Sequence, residues 1–298
     1  MTASRTATDD HRLLQKLAQN SVKVGRSVRN ALYGKSALYE VFHENTKLSR
    51  WSTRAYWDWI GNFSRMRPGQ TPLQGGKVYT LMERRELPPV TARNDLEHAI
   101  TTRRSVRTFS GEPLAVEDVS RLLFFAYGKT SPRAPFRAVA SGGALYPLEL
   151  YVIALNVDGL DRGIYHYAAE TGHLDIVRTD DGLATLKDVV YVLGIDVDHA
   201  ALAIVVTAAF RRSTIKYLDR GYRMILMEAG EVAQNLSLVA TSMHLGTCLL
   251  GGFNDDLLSE FLDIDGVEEA PLLAAVVGHP AAAKASSSSP TAEQTPGV

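Results

Sequence analysis

The chain has 298 residues, of which 45% are hydrophobic and 22% charged, and its formal net charge is −1. That length buries a substantial core, as one large domain or one domain with an appendage, and the near-neutral balance gives no field for drawing in nucleic acid. The single cysteine, Cys248, rules out an intrachain disulfide and a cysteine-rich metal site.

The first twenty residues, MTASRTATDDHRLLQKLAQN, lack the apolar run of a signal peptide, and no long uncharged apolar stretch suggests a membrane span. With one cysteine as well, the expected compartment is the reducing cytoplasm. Residues 1–90 hold all three tryptophans (Trp51, Trp57 and Trp59), a predicted helix over Thr53 to Phe63 and the irregular stretch MRPGQTPLQGG. They read as an appendage wrapping over a main domain of residues 91–280, with RRELPPV at the boundary. Residues 281–298, dense in Ser, Pro and Ala, read as a disordered tail.

In the main domain, Asn94 and Glu97 stand in the reciprocal capping arrangement and predict a helix with Leu96, Ala99 and Ile100 on its apolar side. A second helix is predicted over Val116 to Ala126, with Val119, Leu122, Leu123 and Ala126 on one stripe and Gly128 just beyond. LYVIAL is a strand. GIYHY and HLDIV alternate in period two around an ETG turn and predict a hairpin. ALAIVVTAA and LLAAVV are apolar on both faces, which suits strands covered on each side. Between those two strands lies a long helix, with Tyr222, Ile225, Leu226, Ala229, Ala233, Leu236, Val239, Ala240 and Met243 at helical spacing. It runs out into a glycine-rich stretch containing Gly246 and the pair Gly251-Gly252. The order is that of an α+β fold with no internal repeat.

Three segments could carry chemistry. TTRRSVRTF crowds Arg103, Arg104, Ser105 and Arg107 directly behind a helix, a compact anion clamp in which planar guanidinium forks suit phosphate. The plainer reading is a solvated basic turn whose charges pair with Asp95, Glu97 and Glu112. AVASGGALYPLELYV offers Ser141, Gly142 and Gly143, where the main chain can approach a flat ligand or an oxyanion, or where the chain merely turns. It is not a dinucleotide fingerprint, since GxGxxG is absent.

AAFRRSTIKYLDRGYR brings Lys216 and Tyr217 together after an extended arginine-rich loop. Both are proton-transfer groups with ordinary pKa values of about 10, and surroundings that lower the value make either an acid or base. The alternative is a solvated lysine beside a packed tyrosine. Within the long helix, Glu228 and Glu231 read as partners for nearby arginines, while Gln234 and Asn235 suit hydrogen bonds in an interface or pocket. The eight histidines are dispersed and predict no metal site. GxSxG, the P-loop and HExxH are missing, which demotes serine hydrolase, nucleotide kinase and zinc protease.

RRSVRTF, ASGGALYPLELYV and KYLDRGYRMILMEAGEVAQNLSLVATSMHLGTCLLGGF, in that order, resemble the flavin-dependent nitroreductase superfamily. More narrowly they are similar to its SagB-type dehydrogenase branch, related to the azoline oxidases of thiazole/oxazole-modified peptide pathways. FHENTKLSR and PLLAAVVGHP add to the likeness, which covers about Phe42 to Pro280. The resemblance implies a nitroreductase-like fold, a mixed or antiparallel sheet flanked by helices, with non-covalent FMN at the interface of a homodimer.

On that resemblance Arg103, Arg104, Ser105 and Arg107 hold the phosphate and ribityl chain. Ser141, Gly142 and Gly143 line the isoalloxazine, from the partner subunit or nearby, and Gly251-Gly252 lies against its face. Lys216 and Tyr217 match the lysine–tyrosine pair assigned to catalysis. The implied reaction oxidises an azoline to an azole in a peptide, with oxygen as final acceptor. The competing readings are an NAD(P)H-dependent nitro- or quinone-reductase, and an idle flavin-binding scaffold in a biosynthetic complex. Beyond the homodimer, a cyclodehydratase or other peptide-modifying complex is the implied partner, and a peptide or small molecule the substrate.

Overall fold

A computed structural model describes residues 37–49, 52–64, 77, 79–179 and 195–282. Most of residues 1–90, expected as an appendage and including Trp51, and residues 283–298 of the expected tail lie outside the described residues. The helices are α1 (Leu38–Thr46), α2 (Thr53–Ser64), α3 (Asp95–Thr102), α4 (Val116–Tyr127), α5 (Arg211–Tyr217), α6 (Asp219–Ser242) and α7 (Asp255–Phe261). The strands are β1 (Leu114–Ala115), β2 (Leu148–Ala154), β3 (Val157–Asp158), β4 (Gly163–Ala168), β5 (His173–Arg178), β6 (Leu202–Ala209), β7 (Gly246–Leu250) and β8 (Glu269–Gly278).

Six strands form an antiparallel sheet in the order β5-β4-β2-β6-β8-β7, and a two-residue parallel pair, β1 with β3, stands apart. The predicted hairpin is β4–β5, closed where Gly172 N–H donates to the Ala168 carbonyl at 2.7 Å. The doubly apolar strands β6 and β8 are adjacent inside the sheet, and every β6 residue from Leu202 to Ala208 is buried. Pleat alternation then divides the core. Leu148, Leu150, Val152, Ile204 and Val206 pack with Leu122 of α4 and Ile225 and Leu236 of α6. On the opposite face Tyr151, Ile153, Ala203 and Val205 cluster with Leu258 and Phe261 of α7. Full burial of such a side chain contributes about 1.5–3 kcal/mol, so these two layers fix the frame that carries the site.

The α3 cap forms as its sequence implies: Glu97 N–H donates to Asn94 Oδ1 at 3.0 Å, and Asn94 Nδ2 donates back to Glu97 Oε1 at 3.0 Å. Two elements depart from expectation. The arginine-rich stretch before Lys216 is the helix α5, not an extended loop. Its inward positions are the hydroxyls Ser213 and Thr214, both buried, so no apolar stripe betrays it. The long helix also does not run straight into its glycines. It ends in a Schellman turn, with Leu245 N–H on the Ala240 carbonyl at 2.8 Å and His244 N–H on the Thr241 carbonyl at 3.1 Å. His244, at φ 58°, takes the left-handed position usual for glycine, and β7 follows before Gly251-Gly252 is reached.

Helix α1 docks on the α5–α6 corner. The Tyr39 ring stacks on Tyr222 at 5.8 Å and the buried His43 meets Phe210 edge-on at 4.9 Å. Beyond α1, Leu48 N–H donates to Asp255 Oδ2 at 2.8 Å, and Asp255 N–H returns a bond to the Leu48 carbonyl at 3.0 Å. Burial raises the Asp255 carboxyl from 3.8 to about 6, against the opposing pull of the Leu48 N–H and Lys47. The folded state thus holds this proton more tightly than the unfolded chain. The group's stabilising contribution is complete below pH 3.8 and is lost as pH rises through about 6. Asp255→Asn is expected to flatten the pH dependence of thermal stability in that window. A profile of unchanged slope in the variant counts against the assignment.

Candidate active site

Lys216 and Tyr217 occupy the last turn of α5, where Leu218 (φ 50°) breaks the chain before α6. The Lys216 ammonium lies 5.1 Å from the centroid of the Tyr217 ring. Facing them is a 3-10 turn, Gly142–Ala144, with Gly143 at φ 70°, ψ 20°. A Cβ on Gly143 would stand 2.6 Å from Tyr217 Oη and 2.8 Å from Lys216 Nζ. Both polar heads therefore converge on a bare stretch of main chain. Gly142 lies against Met224 of α6, with a Cβ there only 3.0 Å from Sδ. The fold thus brings Lys216, Tyr217, Gly142 and Gly143 together.

The loop that presents Gly143 is strained and heavily anchored. Ala144 (φ 53°) and Tyr146 (φ 44°) are non-glycine residues in the left-handed region, a cost of about 1–3 kcal/mol each that persists only where surroundings over-determine the conformation. Ser141 Oγ accepts from Tyr146 N–H at 2.9 Å and hydrogen-bonds Glu228. Glu228, buried in α6, also accepts from Tyr127 Oη at 2.8 Å, and Tyr127 Oη accepts from Leu148 N–H at 3.2 Å. Asn235 Nδ2 donates to the Ala138 carbonyl at 3.2 Å at the loop's entry. Arg212 of α5 donates from Nη1 to the Tyr146 carbonyl at 3.1 Å and pairs through Nη2 with Glu149 Oε1.

Glu228 is thus held by two hydroxyls, not by the arginine partnership expected of it. Burial pushes its carboxyl up, opposed by the bonds from Ser141 and Tyr127. Glu149 behaves oppositely. Burial alone would raise it, but the bond from His166 Nε2 at 2.9 Å and the Arg212 charge hold it below its ordinary value.

The arginine segment lies elsewhere. Val106 N–H donates to the Thr247 carbonyl at 3.0 Å, and Ser105 bridges Thr247 in parallel, so residues 103–107 run along β7. Gly246 makes this approach possible, since a Cβ would fall 2.6 Å from Val106 Cγ1. Arg104 donates to its own segment's carbonyls, Thr101 and Arg103, and Arg107 to Ser105. Among the described residues none of Arg103, Arg104 and Arg107 pairs with a carboxylate, so the pairing with Asp95, Glu97 and Glu112 is not formed. Gly251 is exposed and Gly252 buried, just past β7.

Strand register measures the separation. Thr247 is level with Val277, and so with the start of β6 at Leu202; Leu148, just after the Ser141–Tyr146 loop, is level with Ala208 at its far end. At about 3.3 Å per residue the two groups lie roughly 20 Å apart along the sheet. Within one chain, the arginines are not brought to Lys216 and Tyr217. Sequence reasoning also missed Tyr127, Glu149 and Thr247, and the contacts that Arg212 makes to Tyr146 and Glu149. It named Glu228 without its role, although a glutamate on the stripe of Ile225, Ala229 and Val232 is itself a signal of a buried acid.

A model of the nitroreductase family matches residues 100–279. The chain belongs to the nitroreductase family. Members of this family are oxidoreductases that characteristically work with a flavin. A Methanocaldococcus jannaschii protein named as a nitroreductase is 39% identical over 188 residues, 61% of this chain and 90% of that one. The microcin B17-processing protein McbC of Escherichia coli is 30% identical over 172 residues, 55% of this chain and 62% of McbC, so the match spans less than two thirds of that relative. In the E. coli microcin synthetase McbBCD complex with truncated pro-MccB17 bound, a chain superposes with a TM-score of 0.54 at 24% identity, covering 82% of this chain and 97% of that one. That likeness is one of fold. The processing relative supports the SagB-type branch of the family.

The residues present fit the family's cofactor. Arg103, Arg104 and Arg107 offer guanidinium charge without a carboxylate partner, as a phosphate requires. Thr247 Oγ1, beside Ser105, is buried without a hydrogen-bond partner among the described residues. At Gly143 the absence of a side chain keeps clear the space before Lys216 and Tyr217. Among the described residues no group of three or more His, Cys, Asp or Glu could hold a metal ion, and no helix is long and apolar enough to cross a membrane.

Proposed function

We propose that this chain is an FMN-dependent dehydrogenase that oxidises azoline rings of a ribosomally made peptide to azoles, with oxygen as final electron acceptor. The observation that carries the reading is the convergence of Lys216 Nζ and Tyr217 Oη on the Gly143 turn. Similarity to a microcin-processing protein supports the peptide substrate and a place in a peptide-modifying complex, with a cyclodehydratase as candidate partner. Aromatising an azoline removes two hydrogens, one as a proton and one as a hydride, and leaves a new double bond in the ring. FMN, when bound, supplies the acceptor for the hydride. Lys216 and Tyr217 receive and pass on the ring proton, and the Gly143 turn brings the main chain close enough to orient a flat ring between them. Oxygen uptake with a defined azoline peptide, matched to azole formation, tests the reading; no turnover by flavin-loaded protein removes it.

Arg103, Arg104, Ser105 and Arg107 would hold the phosphate end of FMN, with Gly251 and Gly252 beside its ring and Ser141, Gly142 and Gly143 contributed across an interface. The separation of these groups in one chain supports a homodimer in which each site draws on both copies. Leu96 (61% exposed) and Ile100 (51%) on α3, with Met227 (60%) on α6, are apolar surface such an interface would cover. Arg103→Ala is expected to weaken FMN retention roughly 10- to 150-fold, the loss of one charge-assisted bond of about 1.5–3 kcal/mol. Unchanged affinity takes Arg103 out of the clamp, and a flavin-loaded monomer in sedimentation at low micromolar concentration overturns the shared site.

The M. jannaschii relative named as a nitroreductase favours a second reading, reduction of a nitro or quinone compound by NAD(P)H. Rapid bleaching of the bound flavin by NADPH, with no azoline oxidation, selects it.

A further inference from the structure

The Lys216–Tyr217 pair and the Gly143 turn belong to separate segments, and no backbone hydrogen bond between α5 and residues 141–146 is found among the described residues. Main chain joins them only at their roots, where Ala209 N–H donates to the Pro147 carbonyl at 2.8 Å beside the β2–β6 ladder, so beyond that point side chains set the gap. From the α6 side Glu228 holds Ser141, and from the sheet side one side chain reaches both segments. Arg212 stands one helical turn before Lys216 on α5. Its Nη1 donates to the carbonyl of Tyr146, 3.1 Å away, three residues beyond Gly143. Its Nη2 pairs with Oε1 of Glu149 at the start of β2. Glu149 is itself fixed, because its other oxygen accepts from His166 Nε2 on β4 at 2.9 Å.

The loop residue that Arg212 grips is also immobile. Tyr146 is 7% exposed, its N–H is bound to Ser141 Oγ at 2.9 Å, and its hydroxyl accepts from Arg137 N–H at 3.2 Å. The two Nη atoms of one rigid planar group therefore bridge a helix, a strained turn and a strand. A planar fork can make both contacts at once, which a single ammonium on a flexible stem does far less well.

We propose that Arg212 is a positioning residue, whose two-pronged grip on Tyr146 and Glu149 sets the spacing between the Lys216–Tyr217 pair and the Gly143 turn and so governs the rate of the proton-transfer step. The proposal rests on the proton-transfer role of Lys216 and Tyr217. Both prongs count: losing the Tyr146 contact uncouples the turn from α5, and losing Glu149 frees the guanidinium that joins them. The arrangement contributes to rate more than to substrate affinity, because no atom of Arg212 is placed among the reacting groups.

The test compares flavin-loaded Arg212→Lys, Arg212→Met and Glu149→Gln proteins with the parent. Single-turnover flavin reduction by an azoline peptide gives the rate, and amide hydrogen exchange over residues 141–148 reports the turn directly. Expected is a fall of at least 10-fold in kcat with KM changed less than about 3-fold, and faster exchange at the Tyr146 amide, in Arg212→Met. Arg212→Lys should recover little of either, and Glu149→Gln should lie between. Parental kcat and exchange in Arg212→Met overturn the proposal, as does full rescue by lysine. Lys216→Ala in the same assay separates the two readings. If it is silent while the Arg212 variants still loosen the turn and slow turnover, the lysine's role fails and Arg212 positions another group. If it is inactive while the Arg212 variants match the parent, the positioning proposal fails and the proton-transfer reading stands. Should Arg212→Met not fold, Glu149→Gln and Arg212→Lys carry the same decision.

Discussion

Lys216→Ala and Tyr217→Phe are each expected to slow azoline oxidation by about 10²–10⁴-fold, the contribution of a well-placed acid or base. Neither change should disturb the fold. Lys216 is exposed, Tyr217 is half-buried, and the α5 backbone is held through the buried Ser213 and Thr214 and the Phe210 cap. FMN content should also remain, because the arginines proposed to hold its phosphate come from a different segment, beside β7. The loss should therefore fall on kcat, with KM little changed, since the interaction removed is made with a proton in flight and not with bound substrate. Single-turnover flavin reduction measures this directly. Parental rates in both variants would sink the catalytic assignment and leave the family fold untouched, whereas a rise in KM at constant kcat would reduce the pair to shaping the pocket.

Gly143→Ala should cost more activity than its size suggests. Its φ of 70° lies where an L-residue loses about 1–2 kcal/mol, a modest price for a domain of this size. The larger effect is local. A methyl group would sit 2.6 Å from Tyr217 Oη and 2.8 Å from Lys216 Nζ, so each head must retreat by roughly 1 Å to reach ordinary contact. A displacement of that order at a reacting group can cost about 10²-fold in rate. The expected result is a folded, yellow protein with turnover down roughly 100-fold and a small drop in melting temperature. Turnover near that of the parent would show that the two heads do not need the position they occupy here.

The sequence made the frame legible where periodicity was strong. Helix α6, the β4–β5 hairpin and the buried strands β6 and β8 follow from spacing and apolar content, and the α3 start follows from the Asn94–Glu97 pair. The sequence was silent where the stabilising contacts are not hydrophobic. Helix α5 buries hydroxyls, and α6 stops at a histidine in the left-handed region, so neither gives the usual sign. For the site, Lys216, Tyr217, Gly142 and Gly143 were found as separate segments. Their meeting could not be found, because it depends on how β2 and β6 pair in register. Glu149, Tyr127 and the anchoring role of Arg212 escaped notice for the same reason, since each matters only through a partner distant in sequence.

Strand β7 ends the sheet, and its outward N–H and C=O groups would invite pairing with another chain. Ser105 and Val106 already occupy part of that row at Thr247. The peptide that presents the arginines is thus also the cover of a potentially adhesive edge. Tight seating of this segment serves solubility as well as the ligand binding proposed for it, and the Gly246–Val106 contact on which it depends stands guard over both. A change that unseats it would uncover backbone able to join molecule to molecule, so the damaged protein would be lost by aggregation before it could be recovered as a colourless apoprotein.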